Sequence, residues 1–200
     1  RSVTFTVTGL RPCIIATATF GSEVSSAVQF LRSFRDSLVL STAAGSAFMD
    51  VFNAWYYSFS PSVAGLIAGN DPLRATVRVI LYPLLGILGI SAFTYSLLSV
   101  APEFAVVMAG LVASSLIGLV YLTPFAFVSL RALARRKRIK VTGVAKGSLL
   151  LLAAALALLA AGEVAGSLLL LAVASSAVVL ICLISAPTIA ALAIARPKPE

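Results

Sequence analysis

Histidine is absent from this 200-residue chain. Its absence removes the commonest general base and the commonest haem and metal ligand. Cysteine occurs only at Cys13 and Cys182, too few for a disulfide framework, so both read as free thiols. Met49 and Met108 are the only thioethers. A zinc site needs about four Cys, His or carboxylate ligands, and two distant cysteines do not supply it. No Gly-x-x-x-x-Gly-Lys phosphate loop occurs, and Lys146-Gly147-Ser148 lacks the preceding glycines. Nucleophiles such as Cys13 and Ser22 have no histidine to activate them. The expectation is a non-enzyme without haem, metal or nucleotide cofactor.

Charge is scarce as well. Only 11% of residues are charged, against about a quarter in a soluble domain. Four stretches carry no charge at all, namely 79–102, 104–130, 147–162 and 164–195. A bilayer core needs about 20 apolar residues per helix. The run from 147 to 195 is too long for one span, and Glu163 with its flanking glycines marks a turn. The reading is an all-α integral membrane protein with four spans, at roughly 79–101, 104–130, 144–162 and 166–194. The runs are continuous rather than alternating, which argues against a barrel.

What charge exists is mostly basic, with a net value of +8. Seven basic residues lie close together: Arg131, Arg135, Arg136, Lys137, Arg138, Lys140 and Lys146. A basic loop between two spans follows the positive-inside rule and can attract anionic headgroups. It does not point to nucleic acid. Arg74 and Arg78 at the start of the first span, and Arg196 and Lys198 after the last, fall on the same face if there are four spans. That face is expected to be cytosolic, with Glu103 and Glu163 opposite.

Inside the spans, transporters and pumps usually carry acids, histidines or lysines. None occurs here away from the span ends. Pro83, Pro124 and Pro187 interrupt three spans, either as kinks or as sources of free carbonyls along an ion path. Gly110, Ser114 and Gly118 form a small-xxx-small ridge expected at a helix–helix contact.

The first 72 residues differ. Residues 1–12 hold a strand pattern at 2–8, ending at Gly9 and Pro12, and read as a linker or the end of an upstream domain. Since the sequence opens at Arg1, a preceding part was cleaved or the sequence starts internally. Residues 13–72 read as a helical and interfacial segment, and 73–200 as the transmembrane domain. A helix is expected over 22–36, capped by Ser22. Residues 43–58 read as a helix lying along the membrane surface, broken at Ser60-Pro61; a fifth span is the rival reading. Trp55, Tyr56 and Tyr57 are placed at the membrane–water boundary.

Three motifs here occur in order: Cys13-Ile14-Ile15-Ala16-Thr17-Ala18-Thr19-Phe20-Gly21-Ser22, then Leu31-Arg32-Ser33-Phe34-Arg35-Asp36, then Tyr56-Tyr57-Ser58-Phe59-Ser60-Pro61. Together they resemble the CFI-box C-terminal domain family, over about a quarter of the chain. Ile14 and Phe20 stand where that family more usually has Phe and Tyr. The resemblance implies a bacterial or archaeal envelope protein and names no reaction. Cys13 reads as a packed thiol, with Arg32, Arg35 and Asp36 as a charged cluster, either surface ion pairs or a buried Arg–Asp tie.

The functional expectation is a structural or accessory subunit of a prokaryotic membrane assembly, multi-pass in the cytoplasmic membrane. Its partners would be the lipid bilayer and other membrane subunits, or further copies of itself. The alternatives are a small oligomeric channel or transporter component, and the anchor of an upstream exported domain.

Overall fold

A computed structural model describes residues 12–134 and 141–194, with side chains of 131–134 set aside. The strand pattern at 2–8 and the basic residues Arg135, Arg136, Lys137, Arg138 and Lys140 lie outside the described residues. Everything described is helix and short turns: α1 (Ile14–Phe20), α2 (Ser26–Ser33) with a π-helical continuation over Phe34–Val39, α3 (Ala43–Ala68), α4 (Asp71–Leu97), α5 (Pro102–Ile117), a π turn (Gly118–Leu122), α6 (Thr123–Ala134), α7 (Val141–Ala165) and α8 (Leu168–Ile194).

Four rods are long and apolar enough to cross a membrane: Asp71–Leu97, Pro102–Leu130, Val141–Ala165 and Leu168–Ile194. Their number matches the sequence reading, but their ends are set by local chemistry. The first starts well before residue 79, because Asn70 Oδ1 accepts from the Leu73 amide at 2.9 Å and Pro72 fits the opening turn. The turn between α7 and α8 falls after Glu163. Gly166 takes a left-handed φ of 62°, which lets the Ser167 amide reach the Gly162 carbonyl at 3.0 Å and the Gly166 amide reach Glu163 at 3.2 Å. Those two bonds are a Schellman cap, and the positive φ explains the glycine. Lys146 belongs to α7, so the basic loop is shorter than its charges implied.

α8 is the hub. It touches α3, α5, α6, α7 and the π turn. Leu171, Ala174, Val178 and Cys182 are buried along it, at spacings of three and four residues. On α7, Ala155, Leu159 and Gly162 form the facing seam. The core at one end joins Ala44 and Ala47 of α3, Leu159 of α7, and Leu171 and Ala174 of α8. The small residues let backbones come close.

The N-terminal part departs most from the sequence reading. The helix expected over 22–36 begins at Ser26, capped by Ser25, which accepts from the Val28 amide at 3.4 Å. Ser22 instead accepts from the Val24 amide at 3.2 Å in the preceding turn. The break expected at Ser60-Pro61 does not occur. Pro61 sits inside a continuous 26-residue α3, losing one amide donor while the neighbouring amides carry the helix on.

α3 also does not lie across the end of the bundle. At its start, Glu103 of α5 accepts from the Ala43 amide at 2.7 Å and the Ala44 amide at 3.4 Å. Nearby, the Ser41 hydroxyl is 3.4 Å from Tyr95 OH, near the end of α4. At its other end, α3 passes through Gly69 and Asn70 into the start of α4. Both ends of α3 therefore meet opposite ends of α4. The helix runs antiparallel alongside that rod, at matching length.

Candidate functional site

The three motif segments of the N-terminal part come together in space. Cys13 opens α1, and Arg35 Nη1 lies 4.0 Å from its sulfur. The Tyr57 hydroxyl donates to the Pro12 carbonyl at 2.8 Å, and the Ile15 amide donates to the Tyr56 hydroxyl at 3.1 Å. These contacts link positions 22 to 45 residues apart. α1 is thus pinned against α3 by two tyrosines and approached by a guanidinium from the π continuation of α2.

The charged groups divide into two pairs. Arg35 grips Asp36 with Nε on Oδ1 at 2.7 Å and Nη2 on Oδ2 at 3.2 Å. The Arg35 side chain is only 11% exposed, so this is the half-buried tie rather than a surface pair. The bond to Asp36 holds Arg35 charged more firmly than usual. Arg32 pairs with Glu23 at 3.1 Å. A third arginine, Arg78 of α4, donates to the Thr19 carbonyl at 3.0 Å and stands 5.8 Å over the Phe20 ring. It ties the C-terminal end of α1 to the bundle.

The thiol at the centre is not activated. Burial pushes Cys13 above its ordinary pKa, while Arg35 and Arg32 pull the other way and lose. A thiol raised in this way is a poor nucleophile at neutral pH. The arrangement orients three segments that lie apart in sequence. Among the described residues, no group of three His, Cys, Asp or Glu could hold a metal.

The other expected sites separate. In the ridge, Gly118 is packed so tightly that an added Cβ would lie 2.5 Å from the Leu183 carbonyl oxygen and 3.0 Å from Pro187 Cδ. Ser114 is buried and bonds the Gly110 carbonyl at 2.6 Å. Gly110 needs no such space, because a Cβ there meets nothing within 4 Å. Its small size is not used in this fold. Pro187 is buried against Gly118, so this proline serves helix packing. Trp55 is exposed, and the Tyr56 and Tyr57 hydroxyls hold the start of α1.

Two further contacts escaped sequence reasoning. Glu103 caps α3 from another helix, and a distant carboxylate leaves no local cue. Phe48, Phe52 and Tyr56 stack down α3 and Phe59 meets Tyr56 edge-on, with ring centroids 5.6–6.0 Å apart. Their spacings of three and four residues were the available signal. Comparison with protein-family models, with characterised proteins and with solved structures found no match.

Proposed function

We propose that this chain is a structural or accessory subunit of a prokaryotic membrane or envelope assembly, packing against other proteins through its helices. One observation carries the reading. α3 matches α4 in length and shares both its ends, yet it presents an exposed line of Asp50, Ala54, Ser58 and Ser62, four residues apart. Lipid is a poor cover for that line, since a carboxylate facing hydrocarbon costs roughly 2.5–3.5 kcal/mol. A neighbouring protein helix offers polar partners, and the small residues allow it to approach closely. The poised-down thiol and the purely positional arginines support a non-catalytic role. The resemblance to the CFI-box family supports an envelope setting.

The test places a photoreactive amino acid at Ser58, with Ile90 on α4 as a lipid-exposed control. Position 58 should give a discrete protein adduct in native membranes, and the chain should co-purify in fixed ratio with a larger complex. An adduct to a second copy would favour the oligomeric channel reading. Lipid adducts alone at both positions would remove the subunit reading. Topology is tested separately, with cysteines introduced at 138 and 164. Position 138 is expected on the cytosolic side, and labelling of 138 from outside with 164 protected would overturn that.

A further inference from the structure

The π turn opens a groove on the flank of the bundle. It has a volume of about 360 Å³ and is lined by Leu119, Val120, Thr123, Pro124, Phe127 and Ile194. The sequence builds it. Pro124 has no amide to give, and its ring would crowd the Val120 carbonyl in a regular α-helix. The chain widens into a π turn over Gly118–Leu122 instead. The last turn of α8 supplies the other wall through Ile194.

We propose that this groove holds an acyl chain of an anionic phospholipid from the leaflet on the basic side. The inference rests on membrane insertion of the four rods. Its lining is apolar apart from Thr123, which fits a hydrocarbon chain. Its length fits as well: Leu119 to Phe127 spans about 12 Å of helix axis, close to the roughly 15 Å half-thickness of a bilayer core. Its position decides the leaflet. Arg131 follows Phe127 by one helical turn, and Arg196 follows Ile194 by two residues. No acidic residue occurs between Glu103 and Glu163, a stretch that holds seven basic ones. A chain seated in the groove therefore has its headgroup beyond Phe127 and Ile194, on the side from which the sequence runs on into those basic residues. Attraction of anionic lipid to such charge is about 1 kcal/mol per basic residue near the surface.

The whole chain would be reconstituted in vesicles of phosphatidylglycerol and phosphatidylcholine in equal parts, then released in mild detergent for native mass spectrometry. Phosphatidylglycerol should be retained in preference to phosphatidylcholine. Val120→Trp, which fills the groove at a half-exposed position, should lose that retained lipid. Ile90→Trp, on the exposed face of α4, should keep it. In the unaltered protein, phosphatidylglycerol with a photoactivatable acyl chain should label the 119–127 region above α4 and α7. Equal retention of the two lipids, a Val120→Trp protein that keeps its lipid, or even labelling over all exposed helices would overturn the proposal. Flotation of the vesicles separates the two levels: a chain that fails to float refutes membrane insertion, whereas one that floats without lipid preference refutes only the groove.

Discussion

The segment before residue 70 and the bundle after it are held together differently. In the bundle, contacts are made by shape. Gly118 against Leu183 and Pro187, Gly162 against Leu170 and Leu171, and alanines around α8 let backbones meet. Polar contacts between these helices are few and directed at carbonyls, as when the Ser91 hydroxyl donates to the Ala109 carbonyl between α4 and α5. In the N-terminal part, α3 joins that apolar core through Ala44 and Ala47, while polar side chains tie the remaining segments down. Tyr56, Tyr57, Arg35, Arg78 and Glu103 each join elements far apart in sequence. α1 and α2 are too short to hold themselves, so side-chain bonds fix them to longer helices. Helices that already satisfy their own backbones need only fit.

Substitutions should expose that difference, beginning with the bundle. Gly118→Leu should give the largest loss, about 1–3 kcal/mol or more, because it drives a side chain into the α8 backbone. Gly110→Leu should be nearly neutral. Thermal unfolding in detergent distinguishes them, and equal losses would mean that the ridge packs throughout.

A smaller effect is expected where the two regions meet. Glu103→Ala removes the acceptor of the Ala43 and Ala44 amides, leaves Thr42 Oγ1 on the Gly45 amide, and should cost about 1 kcal/mol. The loss should appear as faster hydrogen exchange at Ala43–Ala47, with the α7–α8 seam unchanged. Uniform acceleration over both would show that the regions unfold as one unit.

Tyr57→Phe deletes the hydrogen bond to the Pro12 carbonyl and should cost about 0.5–1.5 kcal/mol. Its sharper readout is local: α1 loosens and Cys13 alkylates faster.

The smallest effect is a titration. Cys13 should react with iodoacetamide only at a pH above that of an ordinary exposed thiol, since burial raises its pKa. Arg35→Ala removes a cation that favours the thiolate, so the midpoint should move higher still. The sign for stability follows. A pKa raised by folding gives stability that is complete below the unfolded thiol's pKa and is lost as pH rises through the folded one. Cys13→Ser should flatten that alkaline loss.

Much of the bundle was legible in the sequence, and the N-terminal part was not. Uncharged runs located four rods, and Pro72 and the glycines near 166 marked true ends. The same reading misjudged Ser60-Pro61, where a proline expected to stop a helix is carried within it. It also treated Gly110 and Gly118 alike, because spacing reports which residues share a face but not which face is covered. The motif order at Cys13, Arg35 and Tyr56 was visible, but its convergence was not.

What the sequence determined by itself is the set of four rods long and apolar enough to cross a membrane. The cost of placing charge in hydrocarbon makes a long uncharged run the mark of such a rod, and that mark depends on composition alone. Which helices pack together depends on pairs of distant groups. Only the tertiary structure decided that Glu103 would cap α3, that α8 would be the hub, and that α3 would stand beside α4 with Asp50 facing outward. Each of these is a contact between segments whose local sequence says nothing of the other.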